Sequence, residues 1–269
     1  MQHEVLLCRP GTPVNSATGV PHLRRTAHAL HRVRDKRLMF SLTPDEWTAV
    51  HLSLRIAIVA TLVALPFGVA MAWLLARKEF WGKTLLDGIV HLPLVLPPVV
   101  TGYLLLIWFG RRGPIGSFLA ETFGIVFSFR WTGAALACGV MGFPLLVRAI
   151  RLSIEAIDRK LEDAASTLGA NRAFVFLTVT LPLSVPGIIA GMVLCFAKAL
   201  GEFGATITFV SNIPGETQTI SAAIYTYTQI PNGDAAAGRL VIVAIVISLV
   251  ALVASEWLAR YAGTRLHGE

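Results

Sequence analysis

Charge is what this chain of 269 residues has least of: 14% of its residues are Asp, Glu, Lys or Arg, against 55% apolar. Soluble domains carry about a quarter charged residues. With a mean hydropathy of +0.67, there is more apolar surface than water accommodates, which excludes an ordinary soluble fold and leaves lipid as the solvent. Cysteine is nearly absent. Cys8, Cys138 and Cys195 lie far apart, two of them inside apolar runs, with neither metal-ligand spacing nor a disulfide framework, and they read as small apolar fillers. No GxxxxGK[ST] loop is present to cradle a nucleotide phosphate. No Ser/His/Asp set, facing carboxylate pair or His/Cys metal cluster is recognisable either, so intrinsic catalysis has no candidate and the chain reads as no enzyme. The formal charge of +7 does not point to nucleic acid, because the basic residues cluster at the ends of apolar segments and in a short N-terminal stretch.

What the sequence does have is long apolar runs. A helix crossing the hydrocarbon core needs about 20 apolar residues, each adding about 1.5 Å against a core about 30 Å thick. Five stretches qualify: about 52–76, 85–109, 131–151, 183–209 and 240–258. Their length excludes a membrane barrel, whose strands are half as long and alternate in polarity. The expectation is an all-α bundle of about five transmembrane helices. The first carries one charge, Arg55, placed to reach back toward the interface. The second contains Pro93, Pro97 and Pro98 and is expected to be kinked or broken there. The third contains Pro144.

Orientation follows from the Lys and Arg of the short loops, which collect on the cytoplasmic side. Arg77, Lys78, Lys83, Arg148, Arg151, Arg159, Lys160, Arg172, Arg260 and Arg265 fall on one side; Arg111, Arg112, Arg130 and Arg239 fall on the other. This predicts a multi-pass inner-membrane protein with its N-terminus outside and its C-terminus in the cytoplasm. Residues 1–38 fit poorly: they hold seven Lys or Arg, no run long enough to span and no basic-then-apolar order of a signal peptide. They read as a disordered or mis-assigned extension, with Met39 the working start of a transmembrane domain over 39–269.

Between the third and fourth spans, residues 157–168 read as a short amphipathic helix. Ile157, Leu161, Ala164, Ala165 and Leu168 form one face, and Asp158, Arg159, Lys160, Glu162 and Asp163 lie mostly elsewhere. Gly169 follows where a helix stops in a left-handed conformation, and Pro182 marks re-entry into the membrane. This segment resembles the EAA loop of the permease subunits of ABC importers: Glu-Ala-Ala, three residues, Gly, nine residues, an aliphatic, any residue, Leu-Pro. Here it stands as Asp163-Ala164-Ala165, Gly169, Val179, Leu181 and Pro182, with Asp and Val replacing Glu and Ile, and with Glu162 next door to supply the longer acid. The stretches HLPLVLPPVVTGYLLL (91–106) and GEFGATITFVSNIPGETQT (201–219) are similar to the molybdate branch of that family.

The resemblance implies the type I importer permease fold of the methionine-permease kind, and a homodimer in the bilayer. It also implies two cytoplasmic ATPase subunits that hold ATP and Mg, none of it bound by this chain, and a periplasmic molybdate-binding protein. The loop 155–182 becomes the coupling segment, with Glu162, Asp163, Ala164, Ala165, Leu168 and Gly169 docking the ATPase. Tungstate or sulfate is the alternative cargo, and a stand-alone secondary carrier the more distant reading, disfavoured because no related halves are visible.

Several residues inside the spans are weighed as a translocation path or hinge. Lys198 and Glu202, four apart, are ionisable groups in a membrane segment and read first as a structural ion pair. Thr101, Thr206 and Thr208 carry hydroxyls that more often bond their own backbone. Pro93, Pro97, Pro98, Gly102, Gly201 and Gly204 read as points of close helix approach and bending. His91 reads as a headgroup contact rather than a proton relay.

Overall fold

A computed structural model describes residues 42–266; the expectations for residues 1–38, for Met39 as the start and for Cys8 lie outside them. Among the described residues every regular element is helical. The first helix, α1 (Pro44–Arg77), begins eight residues before the apolar run, because the polar TPDE segment builds a capping box: Thr43 accepts from the Glu46 amide and Glu46 accepts from the Thr43 amide. At 34 residues it is about 51 Å long, more than the hydrocarbon core requires. The Arg55 guanidinium stacks on the ring of Trp131, the first residue of a later helix, at 3.9 Å from the centroid.

The second apolar run is not one straight crossing. It forms α2 (Lys83–Val95) and α3 (Pro98–Phe109), bent by 113°. Leu96 and Pro97 are extended, as a residue preceding proline must be, while Pro93 stays inside α2. A short helix, α4 (Pro114–Phe123), follows and ends on Gly124 at φ +66°; the sequence reading gave no helix there. Next come α5 (Trp131–Glu155), α6 (Arg159–Thr167), α7 (Arg172–Leu183) and α8 (Val185–Leu200). The axes of α7 and α8 differ by 68°, and α7 widens to a π-helix over Phe176–Thr180. The expected fourth span, 183–209, stops at Leu200 and resumes as α9 (Gly204–Val210). The chain closes with α10 (Ile220–Thr228) and α11 (Asp234–Leu266). By length and apolarity three helices can cross a membrane, or five when each bent pair counts as one.

The core is the packing of α1, α5 and α8, made close by small residues. A Cβ on Gly142 of α5 would lie 2.6 Å from Cys195 Sγ on α8, so the two backbones meet where only hydrogen fits. By contrast, a Cβ on Gly139 would come no nearer than 3.6 Å, to the Ala60 carbonyl. Gly142→Ala is therefore expected to lower stability in detergent by about 1–3 kcal/mol through overpacking. Gly139→Ala should be neutral or stabilising by up to about 1 kcal/mol, since alanine is the better helix former. Thermal unfolding of the two variants side by side checks this.

Charges gather at both ends of this core. At one end Arg239 grips the buried Glu46 carboxylate at 2.6 and 3.2 Å. At the other, Arg151 bridges Asp87 at 3.1 Å and Glu155 at 2.7 Å, and His91 Nδ1 lies 3.3 Å from Asp87. The same His91 nitrogen lies 2.9 Å from the Asp87 carbonyl. Beside it Lys83 donates to Glu79 at 2.7 Å, and that ammonium holds the exposed Glu79 carboxyl below the usual carboxylate range.

Candidate functional site

Two places answer to the sequence. The first is α6 and its exit, at the same end of the bundle as Arg77 and Arg151. Asp158 caps the helix by accepting from the Lys160 amide at 3.0 Å, so the helix starts two residues later than the pattern suggested. Ile157 consequently lies ahead of it, buried, with its carbonyl accepting from Arg77 at 3.2 Å. At the other end the Ala170 amide donates to the Ala165 carbonyl and the Gly169 amide to the Ser166 carbonyl. This paired closure requires a left-handed residue after the cap, and Gly169 supplies it at φ +87°. Asn171 then accepts from the Phe174 amide and starts α7.

Among the described residues the apolar stripe of α6 is left uncovered: Leu161 is 51% exposed, and Leu168 is 90% exposed. Asp163 and Ala164 are exposed as well. Ala165, Leu168, Gly169, Ala170, Asn171 and Phe174 surround a shallow depression of about 430 Å³. Glu162 behaves differently from the other charged residues of the helix, since its carboxylate turns inward. It accepts from Arg77 Nε at 3.1 Å and from the Thr180 hydroxyl at 2.6 Å. Thr180 is buried and ends the π-helical turn. One carboxylate thereby ties α6 to the last turn of α1 and to the wide turn of α7.

The second place is where α3 meets α9. A Cβ on Gly102 would lie 2.5 Å from the Ala205 carbonyl and one on Gly204 2.8 Å from Pro98 Cβ, so Pro97, Pro98, Gly102 and Gly204 form one tight crossing. Thr206 donates to the Phe203 carbonyl and Thr208 to the Gly204 carbonyl, both satisfied by their own backbone as expected. Thr101 is buried, and its hydroxyl has no hydrogen-bond partner among the described residues. Lys198 Nζ lies 2.7 Å from Glu202, but Glu202 sits beyond the end of α8, and its other oxygen accepts from the Ala205 amide at 3.0 Å. The pair thus spans the break in the expected fourth helix and caps α9. Sequence reasoning passed over Asp87, though an acid inside an apolar run is a signal; it gave none for the Glu46–Arg239 pair.

Comparison with known proteins follows this geometry. The model of a family described as binding-protein-dependent transport system inner membrane component matches residues 64–268. The molybdenum transport system permease protein of Escherichia coli (strain K12) is 61% identical over 83% of this chain and 98% of its own length. A sulfate transport system permease protein of Salmonella typhimurium is 37% identical over 84% of this chain and 80% of its own. Among solved structures, a bacterial ABC transporter involved in the import of the acidic polysaccharide alginate superposes with a TM-score of 0.67 at 19% identity, covering 84% of this chain and 83% of that one.

Proposed function

This chain belongs to the family of binding-protein-dependent transport system inner membrane components, and from that premise we propose how it works as the membrane-spanning permease of an ABC importer for molybdate. The observation that carries the cargo is the 61% identity to the molybdenum permease across nearly all of that protein's length. The sulfate permease stands further off at 37%, and sulfate, a tetrahedral dianion too, is the second reading.

Two copies of the chain form the membrane unit, with two ATPase subunits holding ATP and Mg on the cytoplasmic side and a periplasmic binding protein delivering the oxyanion. The helix α6 docks the ATPase through Ala165, Leu168 and Gly169, with Asp163 and Ala164 at the rim. The uncovered Leu161 and Leu168 support this, because an apolar stripe left bare on a short polar helix suits a groove on a soluble partner. The grouping of Arg77, Lys83, Arg151, Arg159, Lys160 and Arg172 around that end supports its placement in the cytoplasm, with the N-terminus outside and the C-terminus inside. Closure of the ATPase pair on ATP carries α6 with it, and the strut from Glu162 to Arg77 and Thr180 passes the motion to α1 and α7. The bundle opens outward, and hydrolysis returns it inward. The crossing of α3 with α9, at Pro97, Pro98, Thr101, Gly102, Gly204 and Thr206, is the hinge.

The test is ATP hydrolysis by the purified permease–ATPase complex with binding protein loaded in turn with molybdate, tungstate or sulfate. Stimulation by molybdate at the lowest concentration supports the reading; stimulation by sulfate alone assigns the chain to the second.

A further inference from the structure

The Lys198–Glu202 pair is asymmetric in a way its spacing does not reveal. The Glu202 side chain is 2% exposed and the Lys198 side chain 30%. Both Glu202 oxygens are engaged, one by the ammonium and one by the Ala205 amide, so the carboxylate is sequestered. The open side of the pair therefore carries positive charge, and the buried acid does not face a passing anion.

Depth decides what that charge faces. The Ala199 carbonyl, next to Lys198, accepts from Cys138 Sγ. Cys138 lies seven residues into the 25-residue α5, about 10 Å from its start, which puts Lys198 well inside the apolar slab. A cation facing hydrocarbon at such depth is costly. Two charged groups of α1 are shielded from that cost: Arg55 stacks on Trp131, and Glu46 is buried under Arg239. The broad apolar faces that suit lipid, such as Ile58, Leu62 and Phe67 on α1 or Ile242, Val246 and Leu249 on α11, are exposed without a charge among them. The face of α8 next to Lys198 differs in part: Leu194 is exposed there, but Ala190, Ala197 and, just past the helix end, Gly201 are exposed too, and these small residues leave room beside the ammonium.

We infer that Lys198 presents a fixed positive charge to a water-filled path for a tetrahedral oxyanion, with Glu202 as the positioning residue that holds it there. This rests on the importer reading and adds to it a place and a sign of charge along the path. A single ammonium, half neutralised by its partner, attracts a dianion without trapping it, as passage requires.

The experiment places a thiol at Ala197→Cys in the complete transporter in lipid vesicles, in a Cys8→Ser background whose remaining Cys138 and Cys195 are buried, with that background alone as the blank. Two membrane-impermeant methanethiosulfonates are compared, one bearing a sulfonate and one a quaternary ammonium, each rate divided by its rate with free cysteine. The anionic reagent should react about ten-fold faster than the cationic one. Lys198→Met in the same chain should bring that ratio near one, Lys198→Arg should preserve it, and Val246→Cys should react with neither reagent. If Lys198→Met disturbs folding by leaving Glu202 unpaired, Lys198→Met with Glu202→Gln removes the charge as a pair and must give the same loss. A thiol at position 197 that stays unreactive, or a ratio indifferent to Lys198, overturns the inference. Hydrolysis driven by molybdate-loaded binding protein is measured on the same vesicles, so failure of the importer reading registers separately from failure of the path.

Discussion

Gly169→Val and Ala165→Glu should each cut molybdate uptake to about a hundredth or less, equivalent to about 2.7 kcal/mol of lost coupling, while the chain still inserts and folds. Nothing lies within 4 Å of a Cβ at Gly169, so valine meets no clash inside the chain. The penalty is in the backbone, because a β-branched residue at φ +87° is held in a region that costs about 1–3 kcal/mol. Relief comes from undoing the two hydrogen bonds that close α6, which swings Leu168 away from its position. Ala165→Glu acts differently, setting a carboxylate in the depression between Leu168 and Phe174. Neither residue is part of the bundle core, so the amount of protein in the membrane should hardly change. Three readouts decide it: the quantity of permease in membranes, co-elution with the ATPase, and uptake. Normal uptake with normal co-elution in both variants would show that the ATPase docks elsewhere.

The second large effect is expected at Glu162, and its signature is uncoupling rather than loss of docking. Glu162→Ala removes the one carboxylate that joins α6 to Arg77 and Thr180, and it leaves the Arg77 side chain, 9% exposed, without its counter-charge. ATPase association should persist, because the exposed stripe is untouched. The motion of α6 should no longer reach α1 and α7, so molybdate moved per ATP hydrolysed should fall by about ten-fold, the effect of about 1.4 kcal/mol. The swapped pair, Arg77→Glu with Glu162→Arg, should recover part of that ratio. A double-mutant cycle on the transport ratio then isolates the interaction from the two single losses. An unchanged ratio in Glu162→Ala would reduce the contact to a local fastening.

What the sequence disclosed and what it hid follow from the kind of information each feature needs. The apolar runs, the break at Leu96–Pro97 and the left-handed stop at Gly169 depend on local composition and backbone sterics, and each was legible. The interruption of the expected fourth span was not. Gly201, Glu202 and Phe203 sit in a stretch whose hydropathy stays high, and it is the Glu202 side chain, folding back to cap α9, that ends one helix and starts the next. The helix α4 was missed because a ten-residue segment between glycines carries too little periodicity to separate from a loop. Contacts between Glu46 and Arg239, 193 residues apart, or between Asp87 and Arg151, 64 apart, leave no trace in spacing. The inward turn of Glu162 was hidden for the same reason: its partners Arg77 and Thr180 lie 85 and 18 residues away.

The most direct test of the whole account is uptake of radiolabelled molybdate into vesicles that contain this chain with its ATPase, ATP inside and loaded binding protein outside. Labelled molybdate should accumulate inside against its gradient, and should fail to do so when ATP is replaced by a non-hydrolysable analogue or when the binding protein is omitted. Accumulation that persists without ATP, or without binding protein, would contradict an ATP-driven importer and identify a carrier that works alone.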